Sequence, residues 1–267
     1  MNNYLLPVIN SYFKEISALE GKLFVSKYFI ENFSKSLKND LTFKHESVTV
    51  YRDLSIPKKQ FNLFPTGYEY NVDRKNLEDE IVNILSREFC LTLSQAYEVF
   101  ESFLIKILTE FLYHNQNHLV TLKILKTNLY LTKPTIKEKI KFQQKTNNKG
   151  LISFIRKLSS YFKQHETNNT WKEDISRWFD LLSEVRHNIV HNRQVVSDKF
   201  LRYLTKHNAN ELFDRYFSKK NINGEICVYQ DHHQSMNNID RLNEFAFLIF
   251  KSLSVDNGLD STYQKIE

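Results

Sequence analysis

The chain has 267 residues, 41% of them hydrophobic and 14% aromatic, with a formal net charge of +6. That is the composition of a folded soluble protein able to bury a substantial core, and only 5 Gly and 4 Pro argue against a turn-rich sandwich or barrel. Two cysteines, Cys90 and Cys227, exclude a disulfide framework and make a reducing cytoplasm the expected location.

From Pro7 to about Lys38, Ile9, Tyr12, Phe13, Ile16, Leu19 and Leu23 recur at helical spacing, with Gly21 a candidate break. The start, MNNYLLPVINSYF, lacks a basic stretch and is interrupted by Pro7 and Asn10, so no export signal is expected. Between Thr42 and Leu54, Val48 and Val50 alternate with Thr49 and Tyr51, which predicts a short strand. Residues 56–71 hold Pro57, Pro65 and Gly67 without a period and are expected to form a loop. Leu77–Phe89 is helical again. Leu93–His114 is the strongest helical pattern, with Ser94 as its expected N-cap.

Asn117–Leu131 predicts a shorter helix, and Thr135–Lys149 a basic connector ending in TNNKG. Leu151–Phe162 repeats apolar residues at helical intervals, and Asn168–Thr170 is expected to cap the helix that follows. Trp171, Ile175, Trp178, Leu182, Val185 and Ile189 mark that helix as one buried stripe. Beyond it come Ser197–Leu204, a short helix at Ala209–Phe217, a turn at Asn223-Gly224 and a strand at Glu225–Tyr229. Arg241–Leu253 closes the core. The longest apolar run, Phe245–Phe250, is far too short to span a bilayer, so no membrane association is expected.

Charge is unevenly placed. Residues 1–90 balance acids and bases, whereas eleven cations between Lys123 and Lys163 face one carboxylate, Glu138. That block reads either as a phosphate-binding surface or as a solvated lysine-rich segment.

Arg186, His187 and His191 crowd the C-terminal end of the Trp171–Ile189 helix, in LLSEVRHNIVHN. Cations there offset the helix dipole and cap carbonyls, which is a sufficient structural reason for them. The stretch also resembles the R-x4-6-H signature of the HEPN superfamily, with a polar residue directly after the Arg and the LLSEV and Asn192 context.

That resemblance implies a mainly α fold: a HEPN-like helical bundle over residues 91–255, with residues 1–90 as an N-terminal extension of helices and a short β element, and 256–267 as a tail. It implies a metal-independent endoribonuclease, with an RNA substrate, no cofactor and no metal. The site would be composite, formed where two motif helices meet in a homodimer. Arg186 would bind the scissile phosphate and His191 would move protons, with His187 and Asn188 orienting them or contacting RNA. Toxin–antitoxin or anti-phage defence, with an antitoxin or regulatory protein as partner, follows from the resemblance alone. In one subgroup a Tyr two residues after the His is modified; Arg193 stands there, which argues against that regulation.

Histidine titrates near neutrality and suits proton transfer, while the arginine fork matches phosphate oxygens and stays charged. Glu98 and Glu101 on the long helix are candidates to orient these groups, or else form a solvated polar face. Arg193, Lys137, Lys139, Lys141 and Lys145 are the expected RNA contacts. The alternative to an enzyme is a non-catalytic module that binds RNA or a protein through the same basic surface.

Two further patterns are weak. His187-x3-His191 is a metal-compatible pair without the Glu of HExxH or an evident third ligand. Asp231-His232-His233 resembles the DHH motif of a phosphoesterase family, but about 35 residues remain after it, too few for the further Asp motifs.

Overall fold

The computed structural model describes residues 3–40, 42–52, 55, 63–124, 130–146 and 150–263, apart from the side chains of residues 145 and 146. In chain order these form α1 (Leu6–Asn39), β1 (Lys44–Arg52), β2 (Leu63–Asp73), α2 (Leu77–His114), α3 (His118–Thr121), α4 (Lys133–Thr146) and α5 (Gly150–Leu158). There follow α6 (Ser160–His165), α7 (Ile175–His191), α8 (Asp198–Lys206), α9 (Asn210–Tyr216), β3 (Ser218–Ile222), β4 (Glu225–Tyr229) and α10 (His232–Val255). The protein is mainly α with two small antiparallel hairpins, β1–β2 and β3–β4. Among the described residues no helix is long and apolar enough to cross a membrane.

The chain divides into two compact units, one of residues 1–23 and 87–267, the other of Phe24–Ser86. The larger unit holds the core. Tyr97 stacks on Phe179 at 5.1 Å, and Phe100 lies 5.1 Å from both Phe179 and Phe245, so α2, α7 and α10 share one aromatic cluster. Tyr12 of α1 joins it 4.9 Å from Phe103. Residues 1–23 thus belong with the helical unit, to which Leu5, Ile9, Tyr12 and Ile16 contribute core side chains, rather than with the N-terminal region expected for residues 1–90. The end of the chain is tied in as well: Asn3 Nδ2 donates to the Asp260 carbonyl at 2.6 Å, and the Asp256 carboxylate accepts from Ser159 Oγ at 2.6 Å.

Several boundaries differ from the sequence expectation, each for a local reason. Leu77–His114 is one 38-residue helix, since nothing between its ends is Gly or Pro. Ser94 lies inside it and donates its hydroxyl to the Cys90 carbonyl at 3.0 Å instead of capping. Gly21 does not interrupt α1. Of the loop expected over 56–71, residues 56–62 lie outside the described residues and 63–71 belong to the strand β2, whose pairing with β1 shifts register between Val48 and Val50, opposite Pro65, which tolerates the proline. The basic connector is helical over Lys133–Thr146; of the expected 117–131 helix His118–Thr121 is helical, and residues 125–129 lie outside the described residues.

The turn and the strand β4 were expected from the sequence, whereas β3, which completes the hairpin, was not. Asn223 and Gly224 both adopt positive φ, 53° and 87°, as a two-residue primed turn requires, and Ile222 pairs with Glu225 across it.

Candidate functional site around Arg186

The motif helix α7 starts later than its apolar stripe suggests. Asp174, not Asn168–Thr170, is the N-cap, its carboxylate accepting from the Arg177 amide at 2.9 Å. Asn169 instead folds the preceding turn, accepting from the Trp171 amide and donating to the Glu166 and Glu173 carbonyls. From there Ile175, Trp178, Leu182, Val185 and Ile189 are buried, which leaves Arg186 at the edge of the stripe and His187, Val190 and His191 exposed.

Arg186 is half-buried. Its Nη2 donates to Glu98 Oε1 of α2 at 2.7 Å, while its Nε is buried without a hydrogen-bond partner among the described residues. One turn along α2, half-buried Glu101 is held above the usual carboxylate range by burial, against the opposing pull of the Arg186 charge and of hydrogen bonds from Gln144 and Tyr97. Ser183 and Glu101 likewise bear on the Tyr97 hydroxyl, so Ser183, Tyr97, Glu101 and Gln144 lie near one another on the Arg186 side of α2. Gln144 sits near the end of α4. The basic helix therefore meets α2 at the same carboxylate that Arg186 acts on.

His187 and His191 are exposed with ring centroids 4.6 Å apart. Burial depresses the His187 pKa, and the neighbouring His191, Lys199 and Arg186 push it the same way. Among the described residues no group of three or more His, Cys, Asp or Glu side chains is arranged to hold a metal.

Asn188 does not face the site. It is 1% exposed, and its Oδ1 accepts from Asn192 Nδ2 at 3.1 Å and from the Ser197 amide and hydroxyl at 3.3 Å. Its Nδ2 donates to the Gln194 carbonyl at 3.3 Å. It is the clasp of the loop that leaves α7, where Arg193 and Gln194 both take positive φ. Buried in this way, Asn188 does not present its side chain to RNA, in contrast to the expected contact. Exposed Arg193 lies on that loop.

No family model matches the chain, and neither a curated protein nor a solved structure matches it.

The basic segment is partly spent on internal pairs. Lys133 pairs with Glu110, Lys141 with Glu138 at 3.3 Å, and Arg156 with Glu166, which also accepts from Ser176. Lys137 is exposed and Lys139 half-buried, while the side chain of Lys145 lies outside the described residues. Lys141 and Gln144 line an open groove of about 450 Å³ between α4 and Ile105 of α2.

Sequence reasoning named Glu98 and Glu101 but missed Tyr97, Ser183 and Gln144. The first two were within reach of helical spacing, since Tyr97 precedes Glu101 by four residues and Ser183 precedes Arg186 by three. Gln144 carried no such signal. The Asp-His-His sequence caps α10: Asp231 accepts from the Gln234 amide at 2.8 Å, and Gln234 Oε1 accepts from the Asp231 amide.

Proposed function

We propose that this chain is a cytoplasmic, metal-independent endoribonuclease of the HEPN type, with Arg186 and His191 as its catalytic pair. The observation that carries the reading is the state of Arg186: a motif arginine braced by α2 whose Nε has no partner among the described residues, on the same helix end as two exposed imidazoles. A guanidinium so placed suits the equatorial oxygens of a phosphorane. His191 takes the proton of the ribose 2′-hydroxyl as that oxygen bonds to phosphorus. The P–O5′ bond breaks, and the proton returns to the leaving 5′-oxygen, leaving a 2′,3′-cyclic phosphate.

Residues five apart on a helix point about 140° apart, so Arg186 and His191 do not share a face of one α7. On this reading two motif helices in a homodimer complete the cleft, within a HEPN-like bundle built on α2, α7 and α10. RNA runs over Lys137, Lys139, Lys141 and Arg193, and a defence or toxin–antitoxin setting is the context the motif implies.

The deciding experiment is cleavage of a mixed-sequence RNA in EDTA by wild type, His191→Ala and Arg186→Ala. Cleavage by the wild type alone, with cyclic phosphate ends, is the expected result. Equal cleavage by all three would end the assignment.

One observation favours a second reading, a non-catalytic RNA-binding module: Glu98 already occupies one arm of Arg186. That module predicts RNA affinity that falls steeply with salt and no cleavage with or without divalent metal.

A further inference from the structure

One large apolar residue of the basic helix stands on the outside. Phe142 of α4 is 64% exposed and lies about 160° round the helix from buried Ile140, so core packing gives no account of it. With Glu138, Lys141 and Gln144 of the same helix, and Ile105 of α2, it lines the open groove of about 450 Å³.

That groove adjoins the Arg186 site. Gln144 hydrogen-bonds Glu101, the carboxylate on which the Arg186 charge also acts. Ile105 is one turn beyond Glu101 on α2, roughly 6 Å away along the helix surface.

We infer that the groove is a nucleobase subsite: Phe142 stacks on an unpaired base next to the phosphate held by Arg186, and Lys141 meets the adjoining phosphate. This rests on the reading of Arg186 as a residue that binds RNA phosphate. Two observations select the occupant. The first is charge beside the ring. Lys141 flanks Phe142, and one turn earlier Lys137 lines the next cleft along the same two helices, about 500 Å³ in volume, together with Lys106 of α2. A single strand offers what such a wall takes, an anionic backbone with a π-face on every base. Glu138 pairs with Lys141 at 3.3 Å, but both side chains are well exposed, at 72% and 44%, so a phosphate can displace that carboxylate. The second is the placement of the ring on the wall of an open groove. Bases inside a duplex are stacked on each other, so an unpaired base is what Phe142 can reach.

The test is fluorescence anisotropy with the full chain carrying His191→Ala, which prevents turnover during the titration. The probes are a labelled mixed-sequence RNA strand and a strand of equal length built from abasic spacers. Phe142→Ala is expected to weaken binding of the RNA about tenfold, the size of one lost stack, and to leave the abasic strand unaffected. Phe142→Tyr restores the affinity and Phe142→Leu does not. Lys141→Gln weakens both strands and lowers the salt dependence, which Phe142→Ala leaves alone. Because the ring is exposed, the Phe142 variants keep their helical circular dichroism.

Equal loss on both strands, or rescue by leucine, overturns the inference, since the ring would then act through the fold. RNA affinity that depends on Arg186 but not on Phe142 overturns it and leaves the reading of Arg186 standing. RNA binding that needs Phe142, in a chain whose wild type never cleaves, supports the subsite and ends the nuclease assignment. Absence of RNA binding overturns both.

Discussion

Arg186 reaches across from α7 to donate to Glu98 of α2 at 2.7 Å, so the most distinctive cation of the sequence rests on a carboxylate that is itself 56% exposed. An exposed pair of this kind contributes only about 0.2–1 kcal/mol to stability, but it competes directly with any anion for the guanidinium. Glu98→Gln is therefore expected to leave the unfolding midpoint nearly unchanged and to tighten RNA binding several-fold at low salt. Filter binding with matched thermal melts checks this. Unaltered affinity would mean that Arg186 does not meet phosphate.

Asn188 presents the opposite case, a motif residue whose place is structural. Asn188→Ala removes the acceptor shared by the Ser197 amide and the Asn192 side chain at the turn after α7, while the Gln194 carbonyl keeps the Val228 amide as its donor. Leaving such groups unpaired costs about 1–3 kcal/mol. The expected result is a lower denaturant midpoint, with the deficit concentrated in exchange of the 193–197 amides. Unchanged stability with altered RNA binding would restore it to the site.

The long helices and much of the aromatic core were legible because apolar spacing reports the face a helix buries: Phe100 and Phe245 were marked by their period and meet, whereas Phe179, which packs against both, lay outside the stripe read for α7. What spacing does not carry is pairing between distant segments. Nothing local says that Gln144 ends beside Glu101, or that Leu5 and Ile9 belong to the same core as Phe111. Breakers also misled where no break was needed. Gly21 and Ser94 sit within continuous helices because tertiary packing outweighs one unfavourable residue, and Pro65 lies in a strand at a register shift that spares its missing amide. The candidate site was half legible: the carboxylates were foreseen from their helix, while the inward turn of Asn188 depended on the loop folding back.

Glu101 gives the site a pH signature. Burial raises its pKa above the usual 4.5, so the folded state holds its proton more tightly than the unfolded chain does. Stability from this group is full below about 4.5 and is lost as pH rises through the folded value. Glu101→Gln cannot ionise, and its amide keeps a polar group of the same size in the half-buried position. The variant's stability relative to wild type should therefore increase as pH rises from about 4.5 towards neutrality. Urea unfolding at several pH values measures it, and parallel curves would show that Glu101 titrates as if in water.

Gly21 tests how firmly α1 is one helix. A methyl group built on it meets nothing within 4 Å, and its backbone lies inside the Leu6–Asn39 helix, so the glycine serves neither a close approach nor a left-handed turn. Its cost is the extra freedom it gives the unfolded chain, about 0.5–1 kcal/mol relative to alanine in a helix interior. Gly21→Ala should raise stability by about that amount. Gly21→Pro should lower it by about 3 kcal/mol or more, because the ring removes a helical hydrogen bond and strikes the preceding turn. If α1 were instead two helices hinged at Gly21, alanine would bring no gain and proline would be tolerated, a difference that thermal unfolding of the two variants resolves.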